Sequence, residues 1–352
     1  MNQFEYLRPA SVAEAVAAAS EPGAAFLAAG TNLLDLMKLG ALRPSRLVDV
    51  TRLPELSNVE QLDGGGFRIG ALVRNADLAR EPAFAAAFPS VAEALLSGAS
   101  AQLRNAASVG GNLMQHTRCA YFQDPASACN RRDPGTGCDA LTGENRSHAV
   151  LGWSNACIAT HPSDFSVPLV ALDAVVEIAG PDGRREMALE DLYPLPDAHR
   201  APESGLRPGE MVVSLRLPPE AASFRAHARY LKLRERTSFA FALVSAAAAL
   251  RIEDGRILQA RLALGAVAAR PWRARAAEAL LFGAVPSAEN FGRAADAALA
   301  DARPSGDNGF KIELARRVIK RVLLLAADGT PERMPALPAS AFNLENGAVA
   351  HV

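Results

Sequence analysis

All of the chain's cysteines lie in one polar stretch between residues 119 and 157. They are Cys119, Cys129, Cys138 and Cys157, and the residues around them include many Asp, Asn, Arg, Gly and Pro, without a helical or strand period. Loops longer than roughly 12 to 15 residues are usually either functional or disordered. Because no apolar pattern orders this stretch, we predict that it folds around a group held by the four thiols.

Three kinds of site are compatible with four cysteines. Two disulfides would need an oxidising compartment, and Met1–Ala10 has no features of an export signal. A zinc site normally has C-x2-C pairs, whereas the gaps here are nine, eight and eighteen residues. An iron–sulfur cluster needs only converging thiolates, and its spacings vary between families. The residues by themselves favour a metal centre and leave zinc and an iron–sulfur cluster open.

Composition and charge exclude several classes of partner. The 352 residues, 49% hydrophobic and 21% charged, are enough for two or three domains. A net charge of -1 gives no electrostatic footprint for nucleic acid or an anionic membrane. No apolar run reaches the roughly 18 residues of a membrane span. We therefore expect no nucleic-acid partner and no membrane span.

The N-terminal residues have the pattern of a small α/β unit. Helices are predicted over Val12–Ser20 and Leu33–Leu39, and buried strands over Ala25–Ala28 and Leu47–Val50. A turn around Gly30 joins the first strand to the second helix. This arrangement can present backbone N–H groups to a phosphate, although it is also typical of an ordinary turn.

A second α/β segment follows a predicted boundary near residues 55–65. It begins with a strand at Phe67–Val73 and a helix at Asn75–Arg80, and a capping box at Ser90 predicts the start of another helix. Residues 108–113, Ser-Val-Gly-Gly-Asn-Leu, then predict a turn. Because its paired glycines have no side chains, the backbone there can approach a ligand closely.

Asp164, in the sequence Pro-Ser-Asp, has two possible roles. It could cap a helix that is predicted to run to Leu172, or its carboxylate could accept a hydrogen bond from a bound ligand. The six histidines show no i, i+4 pair, and each is expected at the surface or in a cap.

The composition changes after Pro219, where an α+β domain is predicted. Its strands are expected over residues 230–234, 241–252 and 258–267, and its helices over 272–282, 288–302 and 310–326. From residue 331 the sequence predicts an extended tail. The chain has no phosphate-binding P-loop, His-Glu-x-x-His or Gly-x-Ser-x-Gly motif, and no catalytic residue is predicted.

Three motifs, in order, resemble those of a known family. Residues 28–38, Ala-Ala-Gly-Thr-Asn-Leu-Leu-Asp-Leu-Met-Lys, are similar to the first flavin motif of the FAD-binding subunits of molybdenum hydroxylases, the xanthine and carbon monoxide dehydrogenase family. Ser108–Leu113 and Pro162–Asp164 resemble its second and third motifs. Ala29 and Asn32 depart mildly from the family's usual glycine and aspartate.

A larger departure is the cysteine-bearing insert at residues 118–158. It resembles the flavoprotein subunit of bacterial periplasmic-type aldehyde oxidoreductases, and that resemblance implies that the four cysteines hold a 4Fe-4S cluster. The implied fold class is α+β, with a two-subdomain FAD-binding fold of the vanillyl-alcohol-oxidase type and a C-terminal α+β domain of antiparallel sheet and helices. The expected divisions are residues 1–57 and 58–220 for the two FAD-binding subdomains, 224–330 for the C-terminal domain and 331–352 for the tail.

The resemblance also implies which residues hold the FAD. Backbone N–H groups around Gly30 would neutralise the diphosphate without a basic cluster. Lys232 would place a positive charge beside the flavin pyrimidine edge, or it is an ordinary solvent-exposed strand lysine. The expected cofactor-binding residues are Leu27, Ala28, Ala29, Gly30, Thr31, Asn32, Leu33, Leu34, Ser108, Gly111, Asn112, Asp164 and Lys232.

The function implied by the resemblance is shared among subunits. The chain would pass electrons from a 2Fe-2S small subunit through FAD to an external acceptor, while a molybdopterin large subunit oxidises an aldehyde. A self-contained FAD oxidoreductase and a zinc-stabilised scaffold subunit are the alternatives. Because the sequence shows no signal of its own, we expect the chain in the cytoplasm, or in the periplasm if a signal-bearing partner subunit exports it.

Overall fold

The N-terminal residues fold as a parallel α/β unit in the computed structural model, which describes residues 1–332. The elements of this first unit are β1 (Glu5–Leu7), α1 (Val12–Ala19), β2 (Ala24–Leu27), α2 (Leu33–Leu39) and β3 (Arg46–Asp49). The strands pair in the order β1–β3–β2, and the carboxyl ends of β2 and β3 lie side by side. The turn after β2 therefore opens at the sheet edge where α/β folds bind ligands.

A five-stranded antiparallel sheet with helices on it forms the second unit. Its elements are β4 (Val59–Gln61), β5 (Phe67–Gly70), α3 (Asn75–Arg80), α4 (Pro82–Ala87), α5 (Pro89–Ser97), α6 (Ala101–Ala106), α7 (Val109–Leu113), α8 (Ala120–Gln123), α9 (Ser166–Ala171), β6 (Val175–Gly180), β7 (Gly183–Ala188) and β8 (Met211–Leu217). The strand order is β4–β5–β8–β6–β7. The sequence did not predict β4, β7 or β8. β7 is an edge strand whose charged, mostly exposed residues give no apolar alternation.

The capping box expected at Ser90 is wrong. Helix α5 begins one residue earlier, at Pro89, which suits a first helical turn because no hydrogen bond is needed from its nitrogen. Ser90 and Glu93 are buried within the helix instead. Glu93 accepts hydrogen bonds from the Arg229 side chain at 2.9 Å and the Tyr230 N–H at 2.7 Å. This buried pair joins α5 to the C-terminal residues.

A four-stranded antiparallel sheet covered by helices forms the third unit, which confirms the α+β class. Its elements are β9 (Ala228–Leu233), β10 (Val244–Glu253), β11 (Arg256–Gly265), β12 (Trp272–Arg273), α10 (Arg275–Leu281), α11 (Ala288–Ala298) and α12 (Phe310–Ala327). The sheet order is β12–β11–β10–β9. The helix expected from Trp272 begins only at Arg275, because the first two residues pair with β11. Val318, Ile319 and Val322 of α12 are buried in the core of this unit.

The segment between α7 and α9 has little regular structure. It contains α8 and one 3-10 turn at Asp139–Leu141. Arg132 organises it by donating hydrogen bonds to four carbonyl oxygens within the segment.

Within residues 1–332 no helix is both long enough and apolar enough to cross a membrane. The tail expected at 331–352 lies almost wholly outside the described residues.

Candidate functional site

The turn after β2 depends on one glycine. Gly30 has a φ of +73°, which side-chain-bearing residues adopt only with strain. A Cβ atom there would lie 2.6 Å from Cδ1 of Leu34, whose N–H donates to the Gly30 carbonyl at 3.2 Å. Gly30 therefore sets the path of the backbone that leads into α2.

The second glycine turn is a tight helix start. Ser108 caps α7, because its Oγ accepts the N–H of Gly111 at 3.2 Å. Gly110 packs directly on the strand end below it, where an added Cβ would lie 2.7 Å from Cβ of Ala71. Gly110 thus lets the start of α7 lie against the sheet, and Ser108 fixes its direction.

Hydrogen bonds join the three motifs. The Asn32 Oδ1 accepts the backbone N–H of His116 at 2.8 Å, which links the first turn to the residues after the second. The Asn112 Oδ1 accepts from the Ser163 Oγ at 2.8 Å and from the Gln115 Nε2 at 2.7 Å. These bonds bring segments that are 84 and 51 residues apart in sequence to one place.

Asp164 belongs to a buried ion pair and does not cap a helix. Its Oδ2 lies 2.7 Å from the Nζ of Lys232, and its Oδ1 accepts from the Tyr230 hydroxyl at 2.5 Å. The side chains of Lys232 and Asp164 are only 3% and 8% exposed, so the solvent-exposed alternative for Lys232 is wrong. Ser163 makes the capping contact by accepting the N–H of Ser166 at 3.1 Å.

Two cavities meet at the three motifs. The larger has a volume of about 430 Å³ and the smaller about 350 Å³, and Thr31, Gly111, Gln115 and Pro162 line both. The two together form a two-lobed cleft, which suits an elongated ligand with two ring systems.

The expected cofactor-binding residues divide between these cavities. Those that line the larger cavity are Ala28, Ala29, Gly30, Thr31, Asn32, Leu33, Ser108 and Gly111. Those that line the smaller one are Thr31, Gly111, Asn112, Asp164 and Lys232. Leu27 and Leu34 line neither.

His161 is a cavity residue that the sequence did not predict. Its ring is buried against Tyr193, with the two centroids 4.2 Å apart, and burial lowers the pKa of His161 to about 3. The Nδ1 accepts the N–H of Ser163 at 3.4 Å, which places the proton of the neutral ring on Nε2. Within residues 1–332 the Nε2 has no hydrogen-bond partner. A buried donor of this kind fits a ligand that supplies an acceptor.

The four cysteines line one small cavity, and all are free thiols. Cys129 and Cys138 face each other across an isolated β-bridge. Burial raises the pKa of Cys119 to about 11 and also raises the pKa values of Cys129 and Cys138. The arrangement contains no disulfide.

Backbone N–H groups point at each of these sulfurs. Their donors are Tyr121 and Phe122 for Cys119, Arg131 and Arg132 for Cys129, Ala140 and Ile158 for Cys138, and Ala159 for Cys157. Such donors fit thiolates that carry negative charge in a cluster. However, within residues 1–332 no three or more His, Cys, Asp or Glu side chains form a group that could hold a metal ion in this arrangement. The expected cluster is therefore not supported by the ligand geometry.

The third unit holds the end of the cysteine-bearing insert. The Nζ of Lys311, on α12, donates to the carbonyls of Ser147, His148 and Ala266 at 2.7 to 2.9 Å. Burial lowers the pKa of Lys311 to about 7. The His148 ring, which is buried and not at the surface as expected, lies with its Nε2 3.2 Å from the Sγ of Cys119.

Two family models cover most of the chain. Residues 2–220 match the FAD binding domain in molybdopterin dehydrogenase, and residues 229–326 match the CO dehydrogenase flavoprotein C-terminal domain. The first model spans the three motifs and the first two units, whereas Lys232 of the smaller cavity lies within the second model.

Characterised relatives align over nearly the whole length. Aldehyde oxidoreductase FAD-binding subunit PaoB of Escherichia coli (strain K12) is 47% identical over 325 residues, which cover 92% of this chain and 98% of that protein. The carbon monoxide dehydrogenase medium chain of Afipia carboxidovorans is 28% identical over 80% of this chain and 81% of that one.

Solved structures share the fold. A chain of carbon monoxide dehydrogenase from Hydrogenophaga pseudoflava superposes with a TM-score of 0.72 at 29% identity, covering 93% of this chain and 98% of that chain. A chain of quinoline 2-oxidoreductase from Pseudomonas putida 86 gives 0.71 at 27% identity with the same coverage. Together with the family models, these matches confirm the resemblance found in the three motifs. The chain belongs to the family of FAD-binding medium subunits of the molybdenum hydroxylases.

Proposed function

We propose that this chain is the FAD and 4Fe-4S electron-transfer subunit of a heterotrimeric molybdenum-dependent aldehyde oxidoreductase. The observation that carries this proposal is the 47% identity to an aldehyde oxidoreductase FAD-binding subunit over 98% of that protein. In the proposed complex, a molybdopterin large subunit oxidises the aldehyde and a 2Fe-2S small subunit relays the electrons. Bound FAD would supply the redox chemistry that connects this relay to an external acceptor.

The residues of the cleft bind and orient the flavin in this proposal. The turn around Gly30 offers backbone N–H groups to the diphosphate. At the start of α7, by contrast, the N–H groups of residues 109–112 already donate within the chain, so this turn contributes only a close approach of the backbone. Asp164 is held in one orientation by Lys232 and Tyr230, so that it presents a fixed carboxylate to the smaller cavity. Lys232 also donates to the Ser97 carbonyl at 3.2 Å, which keeps its positive charge at the cavity wall.

The cysteine-bearing insert contributes the cluster ligands in this proposal. Its support is chemical: four thiols line one cavity, and each receives a backbone N–H donor that stabilises the thiolate form. Buried thiols with raised pKa values stay protonated without a metal, whereas metal coordination deprotonates them. Small movements of these loops would have to bring the sulfurs to ligating distance.

Cofactor analysis tests this assignment. The purified full-length chain is expected to show flavin absorption with a broad iron–sulfur shoulder, and to contain about four iron and four sulfide per chain, the content of one cubane cluster. Cys138→Ser should lose most of the iron and sulfide, while Ala126→Ser, at an exposed position of the same insert, should keep them. A colourless protein that contains zinc would favour the scaffold alternative. Full iron in Cys138→Ser would show that the cysteines do not act as one unit.

Activity measurements on the isolated chain test whether the aldehyde is oxidised on another subunit. The isolated chain should not oxidise aldehydes, because no general base stands in a substrate site and no molybdenum-binding sequence is present. It should still transfer electrons from a chemical reductant to a dye. Aldehyde oxidation by the molybdenum-free chain would instead establish the self-contained FAD oxidoreductase.

A further inference from the structure

Arg131 lies between the thiol cavity and the larger cavity of the cleft. Its backbone N–H donates to the Sγ of Cys129, and the residue lines both cavities. Within residues 1–332 it is the only arginine or lysine that lines the larger cavity. The cysteine-bearing insert thus places one positive charge beside the turn around Gly30.

This charge has no partner. Within the described part of the chain, the guanidinium of Arg131 makes no ion pair and no hydrogen bond, and its Nε is buried. Its neighbour His161, whose pKa the Arg131 charge depresses further, has an Nε2 that is also buried and unpartnered. A buried donor without an acceptor is unfavourable, because it has given up its hydrogen bonds to water. Two adjacent unpartnered donors therefore indicate an anionic ligand in the larger cavity.

The other charged groups of this cavity do not supply that anion. Glu203 is paired with His116 at 2.5 Å, and Glu210 is paired with Arg185 at 2.7 Å. Within the described part of the chain, neither carboxylate makes an ion pair with Arg131.

We propose that Arg131 binds the diphosphate of FAD, so that the cysteine-bearing insert completes the flavin site. This inference rests on the proposed placement of the flavin in the cleft, but it does not require the cluster. The diphosphate carries two negative charges, and a guanidinium forms charge-assisted hydrogen bonds with phosphate oxygens. The neutral backbone N–H groups of the turn around Gly30 contribute further donors. His161 offers a further donor through its Nε2.

One consequence is that FAD binding and the order of the insert are coupled. Arg131 is two residues from Cys129, and it lines both the thiol cavity and the larger cavity. Any ligand that pairs with the side chain also restrains the backbone at Cys129. Linkage makes this coupling reciprocal. A group that orders the insert should tighten FAD binding by the factor by which bound FAD favours the ordered insert.

Binding of two flavins by the FAD-free full-length chain tests the proposal. Arg131→Gln should weaken FAD binding by roughly 10- to 100-fold, the range of a hydrogen-bonded charge. Riboflavin, which has no phosphate, should bind the variant and the wild type equally. Arg131→Lys keeps the charge and should recover part of the loss. Arg184→Gln removes an exposed arginine that lines neither cavity, and it should leave both flavins unaffected.

Several outcomes would overturn the proposal. Equal FAD affinity of wild type and Arg131→Gln would do so, as would an equal loss of FAD and riboflavin, which would indicate a collapsed cleft. A wild-type chain that binds no FAD would instead defeat the proposed function itself. If Arg131→Gln does not fold, the wild-type chain is modified with phenylglyoxal, and peptide mass mapping measures the modification of Arg131. FAD should protect this residue and riboflavin should not, and failure of FAD to protect it contradicts the proposal.

Discussion

The flavin cleft and the cysteine-bearing insert are both polar, loop-built regions, but they are held in place differently. In the two glycine turns of the cleft, order comes from short-range features: the left-handed Gly30, the cap at Ser108 and the close packing of Gly110. The insert has local hydrogen bonds from Arg132, but it is also anchored by side chains far away in sequence. Lys311 and Asn308 bind the carbonyls of His148 and its neighbours from about 160 residues later.

The glycine turns and the insert differ in which other parts of the chain must be folded to hold them in place. The turns of the cleft need only their own sheets, because their hydrogen bonds are local or within the first two units. The insert needs a folded third unit. The Lys311 ammonium donates hydrogen bonds to three carbonyl oxygens that are buried and therefore cannot bond to water. Changes in the third unit should therefore affect the cysteines before they affect the glycine turns.

The largest effect is expected from Lys311→Met. The change removes the Nζ donor from three buried carbonyls, of which that of His148 keeps the Asn308 side chain as a donor, and it should lower the free energy of unfolding by roughly 3 to 5 kcal/mol. Urea unfolding measures this, with Lys320→Met, at an exposed position of the same helix, as the control. Equal stability of the two variants would mean that the insert does not depend on this contact.

A pH dependence follows from the same lysine. Burial lowers the pKa of Lys311 from 10.5 to about 7, so between these values the unfolded chain binds more protons than the folded one. The free energy of unfolding should therefore rise with pH in this window, by about 2 kcal/mol from pH 7 to pH 9. The Lys311→Met chain lacks this term, so its stability deficit should grow with pH. A deficit that does not change with pH would show that the lysine stays charged throughout.

Gly30→Val should affect the cleft alone. Valine at a φ of +73° costs roughly 1 to 3 kcal/mol and moves the backbone that faces the larger cavity, so FAD affinity should fall about tenfold or more while the fold persists. Gly65→Val imposes similar strain at a φ of +94° on an open turn that lines neither cavity, and it should retain FAD. Titration with FAD, followed by flavin fluorescence, measures the FAD affinity of both variants. Undiminished FAD binding by Gly30→Val would show that the turn has no role in the site.

The smallest effect is expected from Ser108→Ala. Removing this cap should cost about 1 kcal/mol of stability and also weaken FAD binding, because α7 starts at the cleft. Ser287→Ala removes the corresponding cap of α11 in the third unit and should cost a similar amount of stability without affecting FAD. Thermal unfolding together with flavin titration separates the two. The same FAD affinity in both variants would make the Ser108 cap purely structural.

Sequence patterns were sufficient where structure depends on neighbours in the chain. The bounds of α2 agree with prediction at both ends, because Gly40 terminates it in a left-handed conformation. They failed where tertiary contacts override them. Ser90 and Glu93 match the sequence pattern of a capping box, but α5 is buried against the third unit and Ser90 lies inside the helix.

The sequence by itself determined the family, the α+β class and the presence of a cysteine-bearing insert, since ordered motifs and residue spacing are properties of the chain. Only the tertiary structure decided that Lys232 is buried against Asp164, that Lys311 supports the insert, and that the unpartnered Arg131 faces the cleft. Burial and charge pairing depend on segments distant in sequence, and no local pattern encodes which of them will meet.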